Sequence, residues 1–126
     1  MAILGIGTDL VKISRIKRLV DKYQTGFAER ILHQNELQIF MAHPSPEMFL
    51  AKRFAAKEAT AKALGTGIAK GVSFRDIEVT NNDTGQPQLL LHGVASQMAQ
   101  KMGMTQCFVS LTDEEHYAIA YVIIEK

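Results

Sequence analysis

The sequence is poor in cysteine: Cys107 is the only one. That excludes an internal disulfide and a cysteine-based zinc site within one chain. Cys107 lies in an apolar, strand-like run, which marks it as a buried inert thiol and not a nucleophile. An excess of charge of either sign is also missing. The 14 Lys and Arg residues face 13 Asp and Glu, a formal net charge of +1. A chain that binds polyanions over its whole surface is excluded, and any anion site must be a local patch. No segment is long enough to span a bilayer, which argues against a membrane partner. Met1–Gly7 is apolar, but it is short and has no basic region before it, so it does not read as a signal peptide. The expected location is the cytoplasm. Repeats, low-complexity tracts and linkers are absent from the sequence. The expectation is one domain over residues 1–126, with a real core. With 47% hydrophobic and 21% charged residues, disorder is excluded on composition.

Ile3–Val11 is an apolar, strand-like run interrupted by Gly5 and Gly7. Glycine inside a strand usually allows another backbone to come close. Ser14 suits the N-cap of a first helix, Arg15–Tyr23, with Ile16, Leu19, Val20 and Tyr23 at helical spacing. Gly26 is expected to break it. Short helices are then expected at Phe27–Leu32 and Glu36–Met41. Ser45 followed by Pro46 is a strong start signal for a longer helix, which should run to about Leu64 with Gly65 as C-cap. Asp76–Thr80 and Gln88–His92 read as paired strands around the turn cluster Asn81–Pro87. Val94–Met102 reads as a helix. Cys107–Thr112 and Tyr117–Ile124 read as strands joined by a hairpin at Asp113–His116. Helices in the first half and antiparallel strands in the second make this an α+β chain.

The segment Phe54–Gly67 carries the richest chemistry. It reads as a helix with one small apolar face, carrying Lys57, Glu58 and Lys62 on the other and ending at Gly65-Thr66-Gly67. Glu58 and Lys62 stand at i, i+4, which fits an exposed ion pair worth roughly 0.3–0.5 kcal/mol. The functional reading is a magnesium carboxylate beside a phosphate-binding lysine. Magnesium usually takes one or two protein carboxylates, so a second is needed. Asp9 is the candidate, since a carboxylate ending an apolar strand needs a partner or a metal. The spacing leaves open whether Asp9 meets Glu58 or caps the next turn. The loop Gly65–Gly71 could offer amides to a phosphate, or be a plain connection. It is not a P-loop, because the Lys-Ser/Thr pair and following helix are missing.

The first helix has a basic face of Arg15, Arg18 and Lys22, with Arg30 beyond, diluted by Asp21 and Glu29. This is either a solvated surface or a docking site for an acidic partner. A nucleic-acid-binding module using this helix remains an alternative, although no recognised reading motif accompanies it. A small nucleotide-dependent hydrolase is a second, and the missing P-loop counts against it. His33, His43, His92 and His116 have no metal-ligand spacing and read as surface or hairpin residues. Ser110 lacks a nucleophile-elbow context.

Gly5-Ile6-Gly7-Thr8-Asp9-Leu10-Val11 together with Phe54–Gly67 resembles the holo-[acyl-carrier-protein] synthase family, small 4′-phosphopantetheinyl transferases of bacterial fatty-acid synthesis. The resemblance extends to Phe27–Leu32, to Asn82–Pro87 and to the closing strands. It implies a compact α+β fold with helices packed on an antiparallel sheet, assembled as a trimer with active sites between subunits. It implies transfer of phosphopantetheine from coenzyme A to a serine of acidic apo-acyl carrier protein. Asp9 and Glu58 would hold Mg²⁺, and Lys62 would neutralise the transferred phosphate. Arg53, Gly65, Thr66 and Gly67 would lie along the nucleotide. Arg15, Leu19, Lys22, Phe27 and Arg30 would dock the carrier protein. Glu58 is the expected acceptor of the serine proton. Many members place a histidine where this chain has Asp113, after a Ser-x-Ser run. No coenzyme A contact is carried onto Asp113, and His116 is a poor substitute.

Overall fold

The structure of the chain, a computed structural model, describes residues 2–126. It opens with β1 (Ile3–Lys12), followed by α1 (Ile13–Tyr23), α2 (Thr25–Ile31), α3 (Gln34–Ala42) and the long α4 (Pro46–Ala63). A 3₁₀ turn at Phe74–Asp76 leads into β2 (Ile77–Asn81) and β3 (Pro87–Leu91). Then come α5 (Gly93–Met102), β4 (Gln106–Asp113) and β5 (Tyr117–Glu125). β1, β5 and β4 form an antiparallel sheet in that order, and β2 and β3 pair as a separate hairpin. The α+β class is as expected. No helix among the described residues is long and apolar enough to cross a membrane.

Several boundaries differ from the sequence expectation. α1 begins at Ile13, and Ser14 does not cap it. The chain passes from strand to helix at Lys12, and the Ile13 amide donates to the His116 carbonyl at 2.9 Å. The break after α1 falls at Gln24, whose φ is +56°, so Gly26 lies inside α2. α3 starts earlier than expected because His33 accepts a bond from the Asn35 amide while Glu36 bonds back to the His33 amide, a capping box.

α4 rests on the inner face of the sheet. In that face, Gly7, Asp9 and Val11 of β1 pair with Val122, Ala120 and Ala118 of β5. A Cβ at Gly7 would overlap the Ala59 carbonyl, and one at Gly5 would overlap the Ala63 carbonyl. The helix backbone therefore touches the strand backbone, an approach only glycine permits. The buried alanines Ala55, Ala56, Ala59, Ala63, Ala118 and Ala120 make room for it.

The expected division of α4 into an apolar and a polar face is corrected. The helix is buried nearly all round, and Lys57 is fully buried. Lys57 Nζ donates to Glu36 Oε1 at 2.6 Å, to the Phe74 carbonyl at 3.1 Å, and to the Ile77 carbonyl. Glu36 Oε2 accepts from the Val79 amide at 3.2 Å. Burial lowers the proton affinity of Lys57, and the Glu36 charge opposes that. Because both charges are fully bonded, the pair is tolerated; removing one partner would leave the other buried alone.

The outer face of the sheet is apolar and open. Ile6, Leu10, Phe108, Ile119 and Tyr121 are all exposed there. The register places Ile6, Ile123 and Phe108 in one row across the three strands.

Gly7→Ala tests the backbone contact. It should lower unfolding stability by about 2 kcal/mol or more, the scale of overpacking in a tight core, read as a lower urea midpoint at constant m-value. An unchanged midpoint would show that α4 and β1 are not in backbone contact.

Candidate active site

β1 and α4 bring Asp9, Glu58 and Lys62 together. Asp9 projects from the inner face of β1, and Glu58 and Lys62 stand one turn apart on α4. Because Gly7 seats the helix on the strand, Lys62 Nζ reaches Asp9 Oδ1 at 3.1 Å and the Thr8 carbonyl at 2.9 Å. Of the two readings of Glu58 and Lys62, the i, i+4 ion pair is not formed among the described residues; Lys62 pairs with Asp9. The Asp9 side chain is 15% exposed and that of Lys62 is 51% exposed, so the ammonium still faces solvent.

Glu58 is half-buried. Burial, and after it the Asp9 charge, hold its carboxyl above the ordinary range, while Lys62 and Arg15 pull the other way. Two carboxylates that repel each other in a partly buried site gain from a divalent cation between them. Both donors are oxygens, which suits a hard ion such as Mg²⁺.

Glu58 also lines a cleft of about 760 Å³ with Arg15, Leu19, Phe27, Arg30 and Phe54. Four of the five expected docking residues thus share one cleft with the candidate catalytic carboxylate. Lys22 lies outside it, its ammonium 5.1 Å from the Tyr23 ring centre. The Arg15 guanidinium lies 6.0 Å from the Phe54 ring centre. Phe54 stacks on Phe74 at 5.3 Å, giving the cleft an aromatic wall. Phe74 had no signal in the sequence, because only the tertiary fold brings the loop after α4 back to this helix.

The Gly65-Thr66-Gly67 loop closes the end of α4. The Gly65 amide donates to the Lys62 carbonyl, and those of Thr66 and Gly67 both donate to Ala61. These three amides are therefore engaged within the chain. Gly65 and Gly67 have φ of +82° and +61°, which explains glycine at both positions.

Arg53 lies elsewhere. It is 6% exposed, on the side of α4 facing β2. Its Nη2 donates to Asn81 Oδ1 at 3.2 Å, and its guanidinium lies 4.7 Å from the Phe49 ring centre. With Lys52, Asn81, Pro87 and Leu111 it borders a second cleft of about 410 Å³. Asp113 pairs with Lys52 at 3.4 Å, and His116 is exposed in the hairpin. His33 and His92 are not plain surface residues, because both converge on the buried Glu78. Nothing in their spacing could have indicated it, since three distant segments supply the cluster. Cys107 is half-buried, and burial pushes its thiol up, in keeping with an inert role.

The family model described as the 4′-phosphopantetheinyl transferase superfamily matches residues 5–122. The chain is 51% identical over 125 residues to the holo-[acyl-carrier-protein] synthase of Vibrio parahaemolyticus, covering 99% of both sequences. It is similar to the crystal structure of holo-[acyl-carrier-protein] synthase from Neisseria meningitidis, with a TM-score of 0.94 and 44% identity over 99% of this chain and 100% of that one. It is also similar to the Bacillus anthracis holo-(acyl-carrier-protein) synthase in complex with CoA (3′,5′-ADP), at a TM-score of 0.82 and 39% identity over 98% and 97% of the two chains. The fold thus recurs in both solved structures, and the chain belongs to the 4′-phosphopantetheinyl transferase superfamily, in its holo-[acyl-carrier-protein] synthase family.

Proposed function

We propose that this chain transfers the 4′-phosphopantetheine group of coenzyme A to a serine of apo-acyl carrier protein. Adenosine 3′,5′-bisphosphate is released, and the reaction serves fatty-acid biosynthesis in the cytoplasm. The observation that carries the reading is the meeting of Asp9, Glu58 and Lys62 beside a cleft lined by Arg15. The names of the relatives and the coenzyme A in the Bacillus anthracis structure support it over a nucleic-acid-binding module.

Asp9 and Glu58 would hold Mg²⁺, which when bound supplies charge neutralisation on the pyrophosphate. Lys62, anchored by Asp9 and the Thr8 carbonyl, presents a fixed positive charge to the transferred phosphate. Phosphoryl-type transfer depends mainly on such positioning and neutralisation. Glu58 is the proposed acceptor of the serine proton, directly or through a water molecule; in the metal-free site burial and then the neighbouring Asp9 hold its carboxyl above the ordinary range. Thr66, Gly65 and Gly67 contribute a rigid wall beside the nucleotide, since their amides are already engaged. Arg15, Leu19, Lys22, Phe27 and Arg30 form a basic and apolar surface for the acidic carrier protein.

The exposed apolar face of the sheet supports a homotrimer, because a free face of this kind usually marks an interface. Arg53 faces a separate cleft from Glu58. With sites between subunits, it reaches the nucleotide from a neighbouring copy and not from its own.

Asp9→Ala and Glu58→Ala should each reduce transfer by about a hundredfold or more with unchanged circular dichroism. Mass spectrometry of apo-carrier protein incubated with coenzyme A and Mg²⁺ measures it; near-normal product from the double variant would refute the site. Arg15→Ala should raise KM for the carrier protein, less so at high salt. A KM equal to wild type at low salt would remove Arg15 from docking. In the metal-free protein, the Glu58 carboxyl should titrate above the free-carboxylate value, and Asp9→Asn should move it down. Carbon-13 NMR follows both, and no movement in Asp9→Asn would mean the two carboxylates do not interact.

A further inference from the structure

On the far side of α4 from Asp9 lies a cluster that the transfer reaction does not use. His33 caps α3, Glu78 stands on β2, and His92 precedes α5. The Glu78 side chain is 4% exposed, and its two oxygens are divided between partners. Oε2 accepts from Asn35 Nδ2 at 3.1 Å, while Oε1 faces His92 Nε2 at 2.9 Å and His33 Nδ1 at 3.6 Å. The imidazole rings stack with centres 4.9 Å apart. One ligand atom from each of the three residues lies within 4.8 Å of the others.

We propose that His33, Glu78 and His92 form a binding site for a divalent transition-metal ion of the zinc type. Two imidazole nitrogens and one carboxylate oxygen are the donor set of such ions, and three protein ligands leave a position for water. Mg²⁺ demands oxygen ligands and is a poor fit here. This mixed nitrogen and oxygen donor set differs from the all-oxygen pair of Asp9 and Glu58.

The surroundings suit this role. Asn35 fixes the carboxylate from behind, as the outer partners of metal ligands commonly do. The His92 side chain is 44% exposed and that of His33 is 29% exposed, so an ion can enter and keep solvent. Binding needs each imidazole neutral, with its proton on the nitrogen away from the metal. His92 then gives up its bond to Glu78, and His33 gives up a long bond of 3.3 Å from the Asn35 amide. The metal replaces both and ties α3, β2 and the start of α5 into one unit. Its role is structural, and it does not depend on the transferase reading.

Isothermal titration of the EDTA-treated protein with Zn²⁺, repeated with Co²⁺ followed by visible absorption, tests the site. A single Zn²⁺ per chain is expected, with Co²⁺ bands of imidazole ligation and a raised thermal midpoint. His92→Gln and the double variant His33→Gln/His92→Gln should weaken binding roughly 10–100-fold or more. His116→Gln should not, and millimolar Mg²⁺ should not displace the ion. Binding unchanged in the double variant, or lost in Asp9→Asn but kept in His92→Gln, would overturn the proposal. So would the absence of any Zn²⁺ heat in wild type, which leaves the cluster a hydrogen-bonded network only.

Discussion

The backbone contact between α4 and β1 is the constraint on which the rest depends. A helix normally meets a sheet through side chains, which hold the two backbones apart. Here Gly5 and Gly7 remove the side chains on one side, and Ala59 and Ala63 supply only carbonyls and methyl groups on the other. The consequence is a matter of reach. Asp9 is a short side chain, yet it meets Lys62 across the helix–strand boundary at 3.1 Å. A strand carrying alanine at these points would push the helix away and separate the two elements that hold the site.

The opposite side of α4 is anchored differently. There the contact is ionic, through Lys57 and Glu36, and it draws in two carbonyls and an amide from the segment around β2. Buried ion pairs add little net stability compared with apolar packing, but they tolerate only one arrangement. The helix is thus located by shape on one side and by charge geometry on the other. Arg53 belongs to this second side, with its Nε 3.5 Å from Glu36. Burial lowers its proton affinity, opposed by Glu36, and it remains a fixed cation at the edge of the second cleft.

Much of this was legible in the sequence. Strong local signals such as Ser45-Pro46 and the alternating strands placed most elements within a few residues. The two glycines of β1 correctly announced a close approach. Asp9, Glu58 and Lys62 could be named as candidates from residue type. What could not be read was the pairing. Helical spacing put Lys57 on the same polar face as Glu58, because two adjacent positions differ by only about 100° around the axis. That angle separates solvent from core in a helix buried nearly all round. The partners of the loop amides were left open, since the closing of a helix end depends on backbone angles that the glycines permit but do not dictate. His33 and His92 escaped because contact between distant segments leaves no periodic trace.

The junction between β1 and α1 has a mechanical consequence. The strand becomes the helix at Lys12 with no loop between, and the Ile13 amide is held by the β4–β5 hairpin. Asp9 and Arg15 therefore sit on two directly joined elements, with no loop between them. A displacement of α1 would thus be passed to the strand that carries Asp9 unless the backbone bends at Lys12.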